Sequence, residues 1–150
     1  MDRYVGTMPS NSALKRMNAA HRILIKVTRG RRGWTGMKMP VLELTTIGRK
    51  TGQPRPVMLT SPIQDGNALV VVASRGGDDV HPAWFLNLCD NPEVEVSLQG
   101  KPKKPMTARI ATPEQRARLW PLLTADHTMY ADYQKKTSRE IPLVLLRPRS

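Results

Sequence analysis

The spacing of apolar and polar residues changes along this 150-residue chain. Across residues 13–28, Leu14, Met17, Ala20, Leu24 and Val27 recur at intervals of three and four, one face of an α-helix. Ser10 or Ser12 supplies its cap. Lys15, Arg22, Lys26 and Arg29 fall mostly off that stripe, so the predicted helix is amphipathic and basic. Residues 30–36 carry glycine at 30, 33 and 36 and read as a flexible linker that ends it. From residue 39 the texture becomes that of strands. Residues 41–47, 55–63, 68–74, 93–98, 106–111 and 141–146 are short apolar runs, several rich in β-branched residues, and predict about six strands. Glycine and proline turns at 48–54 and 65–67 join the first three as hairpins. A short helix is expected over 82–89, with Pro82 at its first position. Thr112, Pro113 and Gln115 form a capping box for another, which holds Pro121 as a potential kink. A further helical stretch carries Tyr130 and Tyr133. Short hairpin-linked strands with flanking helices predict a mainly β, α+β fold: a mostly antiparallel sheet curled into a small barrel without long exposed edges.

The length suits one domain of roughly 100–200 residues, and 39% hydrophobic with 24% charged residues suits a globular chain. Charge adds an asymmetry. Lys and Arg number 24 against 12 Asp and Glu, and residues 1–38 hold nine of the basic residues but one acidic residue, Asp2. The chain therefore divides into a basic N-terminal arm with its amphipathic helix, 1–38, and a barrel, 39–150. Such an arm attracts anions: lipid headgroups, nucleic acid or a polyanionic cofactor. Residues 10–34 suit an anionic membrane surface. With 5% aromatic residues, single-stranded nucleic acid has few stacking partners, and no nucleic acid is expected. No apolar run approaches the roughly 18 residues of a spanning helix, and the N-terminus lacks a secretory pattern. The single cysteine, Cys89, allows no internal disulfide and is expected as a buried small hydrophobe. A cytoplasmic protein, peripheral on the inner face of the cell membrane, is the expectation.

The candidate chemistry sits on turns. Gly48-Arg49-Lys50-Thr51-Gly52-Gln53-Pro54-Arg55 places three cations and two glycines within eight residues. Glycine lets backbone N–H groups approach a ligand, and Arg49, Lys50 and Arg55 can neutralise a phosphate or carboxylate. The bland alternative is a solvated basic hairpin turn. Ser74-Arg75-Gly76-Gly77 after a strong apolar strand reads either as a second cradle or as an ordinary glycine loop. Trp84, Phe85 and Leu88 serve a flat ligand or the core. Tyr130 and Tyr133, three apart, share a helix face and can donate to a substrate oxygen or simply pack. His21, His81 and His127 stand far apart, and no H-E-x-x-H, C-x-x-C, G-x-S-x-G, Walker A or Rossmann pattern occurs, so no metal is expected.

Taken in order, several stretches resemble the deazaflavin-dependent nitroreductase family of actinobacteria. They are 44–55 (LTTIGRKTGQPR), 72–77 (VASRGG), 81–88 (HPAWFLNL) with Asn91-Pro92, 111–114 (ATPE), 130–134 (YADYQ) and 139–142 (REIP). The resemblance implies a split β-barrel like those that bind FMN, with coenzyme F420 as hydride carrier. It implies that Arg49, Lys50 and Arg55, with Thr51 in the same turn, hold the phosphate and polyglutamate tail. Ser74, Arg75, Gly76 and Gly77 would lie along the deazaflavin. Pro82, Ala83 and Trp84 would line the ring pocket, supported by Asn87, and Tyr130 and Tyr133 would face the substrate as catalytic donors. Met58, with Leu59 and Thr60, departs from the family's usual aromatic or large residue and reshapes one wall. The implied reaction passes hydride to a small electron-poor acceptor: a quinone, an enone or lactone, or a nitroaromatic. FMN on the same barrel is the alternative cofactor, and a non-catalytic cofactor- or anion-binding protein the alternative function; a homodimer is compatible with either.

Overall fold

A computed structural model describes residues 35–36 and 39–149. Its strands are β1 (Thr35–Gly36), β2 (Met39–Ile47), β3 (Pro54–Thr60), β4 (Ile63–Asp65), β5 (Ala68–Val72), β6 (Glu93–Leu98), β7 (Lys104–Ile110) and β8 (Leu143–Pro148). The helices are α1 (Ala83–Asp90), α2 (Pro113–Asp126) and α3 (Met129–Lys135). The sheet order is β1-β2-β6-β7-β8-β5-β4, with β3 also on β2, and every pairing is antiparallel. The expected split-barrel class is therefore observed. The helix predicted over residues 13–28 lies outside the described residues.

The sheet has eight strands rather than six because of two short ones. β1 comes from the stretch read as a linker: Thr35 and Gly36 pair with Pro40 and Met39. β4 arises because the run 55–63 breaks at Ser61-Pro62. Proline lacks the N–H that would continue the ladder. Buried Ser61 turns the corner instead. Its N–H donates to Pro40 O at 3.0 Å, and its hydroxyl reaches Val70 O at 2.8 Å and Ile63 O at 3.1 Å. One residue thus links β2 to β5 at the point where the chain passes from β3 to β4.

Two cores lie on opposite faces of the sheet. Leu42 and Leu44 of β2, Val94 and Val96 of β6, and Leu69 and Val71 of β5 enclose Trp84, Phe85 and Leu88 of α1. The alternate residues Ala68, Val70 and Val72, with Leu143 and Leu145 of β8, pack against Leu119 and Leu123 of α2 and Tyr130 of α3. β5 and β8 are apolar at nearly every position because both their faces are covered. The capping box of α2 forms as expected: Gln115 N donates to Thr112 Oγ1 at 3.1 Å, and Thr112 N to Gln115 Oε1 at 2.9 Å. α2 continues through Pro121 to Asp126.

Cys89 corrects an expectation. It is exposed rather than buried, because Trp84, Phe85, Asn87 and Leu88 occupy the inward face of α1. One position beyond Leu88 the helix has turned about 100° toward solvent. No helix among the described residues is long and apolar enough to cross a membrane.

Candidate active site

The turn between β2 and β3 is shaped by its glycines. Gly48 N donates to Gln53 O at 2.8 Å, and Gly52 N to Gly48 O at 2.7 Å. A Cβ at Gly48 would lie 2.8 Å from Thr51 Oγ1. Gly52 has φ +72°, a conformation glycine adopts at little steric cost. Arg49, Lys50, Thr51 and Arg55 are exposed along it, and Arg55 donates to Thr51 Oγ1 at 3.1 Å.

Asn87 fastens this turn to α1. Its buried side chain accepts from Arg49 N at 3.2 Å and from Arg49 Nη1 at 2.9 Å through Oδ1. Its Nδ2 donates to the buried Thr46 hydroxyl at 3.1 Å. The sequence marks Asn87 as a supporting residue but gives no signal for Thr46 as its acceptor.

The loop before α1 has an unusual backbone. Ser74 is right-handed (φ −79°, ψ −37°), whereas Arg75, Gly76 and Gly77 follow with φ +46°, +67° and +86°. A right-handed residue followed by a left-handed one turns successive N–H groups into a concavity suited to anions. The Arg75 guanidinium pairs with the Asp78 carboxylate. Gly77 runs against α3 so closely that a Cβ there would meet Tyr133 O at 2.6 Å.

On α3, Tyr130 and Tyr133 share a face, with ring centroids 6.0 Å apart and planes at 79°. Tyr130 is buried, and its hydroxyl lies 3.7 Å from Met39 Sδ on β2. Burial raises its pKa, and a hydrogen bond with Thr60 of β3 partly opposes that. The phenol is therefore protonated at neutral pH, and its proton points to Met39 Sδ. Met58, also on β3, is buried against Val41.

Four of the expected segments are thus physically joined: the turn to α1 through Asn87, α1 to the Ser74–Gly77 loop along the chain, and that loop to the tyrosine helix through Gly77. Of the residues expected around the ring, Trp84 is buried among the barrel core, Pro82 is the buried residue capping α1, and Ala83 is exposed. Among the described residues no group of His, Cys, Asp or Glu could hold a metal.

A second set of side chains, which sequence reasoning left without a role, braces the site. Arg139, within the quoted 139–142 stretch, contacts the loop and His81. Gln134 of α3 accepts from Ile141 N at 2.9 Å and donates to Arg139 O at 2.7 Å. His81 has its pKa lowered, first by burial and then by the Arg139 charge, so it is neutral near pH 7.

The fold is that of an antiparallel split barrel, and it carries a cationic glycine turn, a left-handed loop and a buried Tyr130 beside the half-buried Tyr133. An F420-H2 dependent reductase of solved structure superposes with TM-score 0.63 at 38% identity, over 72% of this chain and 94% of that one. A solved domain-swapped dimer superposes at TM-score 0.65 and 34% identity, covering 92% and 100%. An F420H(2)-dependent quinone reductase of Mycobacterium tuberculosis is 40% identical over 127 residues, 80% of this chain and 84% of the relative. Residues 16–148 match the family F420H(2)-dependent quinone reductase, and the chain belongs to it. It is an F420H2-dependent oxidoreductase, with coenzyme F420 as its cofactor. At 12% identity and TM-score 0.53, a protein from Clostridium acetobutylicum of the pyridoxinephosphate oxidase family shares the fold.

Proposed function

We propose that this chain reduces small quinones with F420H2, and that the joined turn, loop and tyrosine helix form its site. What carries the reading is that junction: exposed cations, a loop whose backbone passes from right-handed Ser74 to left-handed Arg75, Gly76 and Gly77, and a protonated buried phenol follow one another across contacting segments. These groups fit a flat cofactor with an anionic tail. Lys50, Arg49 and Arg55, beside Thr51, hold phosphate and carboxylate groups by charge-assisted hydrogen bonds. Ser74, Arg75, Gly76 and Gly77 flank the ring, Pro82, Ala83 and Trp84 back it, and Met58 limits one wall. Asn87 keeps the turn in register with α1.

When bound, reduced F420 supplies a hydride. The chain then stabilises the negative charge that develops on the acceptor oxygen. Tyr130 or Tyr133 donates a hydrogen bond there, in surroundings dry enough to strengthen it. Solvent supplies the final proton, and no side chain acts as a covalent nucleophile.

The test is titration with oxidised F420 and with FMN, followed by menadione reduction. F420 binding with weak or no FMN binding is expected. Tyr130→Phe or Tyr133→Phe should lower kcat by about 10²–10³ if it removes the donor, with F420 affinity kept. Full turnover in both variants would remove the donor role. Lys50→Ala and Arg55→Ala should each weaken F420 by about tenfold or more, the equivalent of about 1.5–3 kcal/mol.

The remaining arrangement also belongs to this proposal. A basic arm, residues 1–38, precedes the barrel of 39–150, and residues 10–34 bring a cytoplasmic enzyme to anionic lipid, where quinones reside. The domain-swapped relative supports a homodimer as the assembly. Vesicle sedimentation at low and high salt, with full-length chain and a chain starting at Thr35, tests the first. Light scattering tests the second.

A further inference from the structure

Arg139 has no part in the proposed contacts to cofactor or acceptor, yet it is among the most heavily hydrogen-bonded side chains in the structure. Its Nε donates to Asp78 O at 2.8 Å. Its Nη2 donates to Ser74 O at 2.9 Å and to Ala73 O at 3.2 Å. Its Nη1 lies 3.0 Å from His81 Nδ1. Arginine has five N–H donors in a rigid fork, and this geometry commits four of them to acceptors between residues 73 and 81.

Those acceptors bracket the left-handed run. Three consecutive residues at positive φ, one of them arginine rather than glycine, are costly without support, at about 1–2 kcal/mol for a non-glycine residue. Within the loop, Gly77 N donates to Ser74 O at 2.9 Å and Asp78 N to Arg75 O at 3.2 Å; Arg139 adds support from outside it. Ala73 and Ser74 carbonyls lie before the run, and Asp78 O and His81 lie after it. One guanidinium therefore grips both ends.

The grip is itself anchored. Arg139 N donates to Thr137 Oγ1 at 3.3 Å, and that hydroxyl donates to Asp79 Oδ1 at 2.6 Å. Gln134 Nε2 donates to Arg139 O at 2.7 Å, so the same residue is fixed to the helix that bears both tyrosines. Burial lowers the pKa of the guanidinium, with the nearby Asp78 and Asp79 opposing that shift. The group nevertheless stays charged, as arginine does.

We infer that Arg139 is the positioning residue of the cofactor cradle, holding the Ser74–Gly77 loop in its concave form and fixing its distance from the tyrosine helix. It touches neither reacting atom nor acceptor; it sets where the loop's N–H groups point. This inference rests on the proposal that the loop binds F420. Lysine cannot replace it, because a single ammonium cannot reach carbonyls on both sides of the loop in the fork geometry.

The experiment compares wild type, Arg139→Lys and Arg139→Met by F420 titration, steady-state kinetics and amide hydrogen exchange. Arg139→Met should raise the Kd and KM for F420 by about tenfold or more, the size expected for losing charge-assisted hydrogen bonds. Its kcat at saturating F420H2 should fall as well, because the loop is no longer held at a fixed distance from the tyrosine helix. Amides of residues 74–79 should exchange faster, with the β2, β6 and β8 amides unchanged. Arg139→Lys should recover only part of the affinity.

An unchanged Kd in folded Arg139→Met overturns the inference while F420 binding by wild type keeps the functional proposal standing. Should wild type itself fail to bind F420, that proposal falls, and hydrogen exchange decides the clamp alone: unchanged exchange at 74–79 overturns it. If Arg139→Met does not fold, Arg139→Lys and His81→Ala, which removes one acceptor of four, carry the same comparison, with a smaller loss expected.

Discussion

Asn87 shows how much one amide can carry. It is buried, it accepts twice from Arg49, and it donates to a buried threonine hydroxyl 41 positions away in sequence. Replacing it with leucine would keep the volume but leave the Thr46 hydroxyl and the Arg49 N–H without that partner. Leaving a buried polar group unsatisfied costs about 1–3 kcal/mol. Asn87→Leu should therefore lower the unfolding free energy by that amount and weaken F420 binding as well, since the cationic turn loses its anchor. Denaturant melts beside cofactor titration check both. A stable variant with weakened F420 binding would separate the anchor from the fold.

At the scale of elements, the interplay of the loop, α3 and the segment before β8 decides the geometry. Gly77 has φ +86° and would place a Cβ 2.6 Å from the Tyr133 carbonyl oxygen. Gly77→Ala must therefore push α3 away or distort the loop. Overpacking of this kind costs about 1–3 kcal/mol, with about 1 kcal/mol more for a left-handed alanine. Both F420 affinity and turnover should fall, because cradle and tyrosines move relative to one another. Thermal melts and kinetics of the variant test this, and normal turnover would argue against a close-packed loop. Much at this scale is legible in the chain itself. Glycine, β-branched runs and the Thr112–Gln115 box are local signals, and the structure follows them. The break at Ser61-Pro62 is not, because the reward for breaking, a hydroxyl bonded to Val70 O, comes from a strand that only folding brings near. The same holds for Arg139. Its position in the 139–142 stretch is visible, but its acceptors lie about 60 residues earlier in the chain. Trp84 illustrates the opposite limit: tryptophan suits a ligand wall or a core, and its packing with Leu42, Leu44 and Val96 comes from folding rather than from any local signal.

At the scale of the molecule, pH acts through His81. Burial and the Arg139 cation lower its pKa below the ordinary value of 6.5. The denatured chain therefore takes up a proton there at higher pH than the folded chain does. The stabilising contribution is complete above about pH 6.5 and is lost as pH falls through the lower folded value. Arg75, Asp78, Asp79 and Arg139 share that neighbourhood, so protonation adds a cation to a cluster already near balance. Urea midpoints measured from pH 8 down to pH 5 should decline, and the decline should be shallower in His81→Asn. Parallel pH curves for the two would move the acid sensitivity elsewhere. The excess of 24 Lys and Arg over 12 Asp and Glu works the same way, since acidification only adds to the self-repulsion.

The outward thiol on α1 has a practical use. The chain holds one cysteine, it faces solvent, and it sits two positions after the amide that clasps the cationic turn. A maleimide dye should thus attach at a single defined spot, giving one adduct per chain by mass spectrometry. Fluorescence from that spot would report docking of the phosphate and polyglutamate tail in real time, with no engineered handle and no disturbance of the barrel interior.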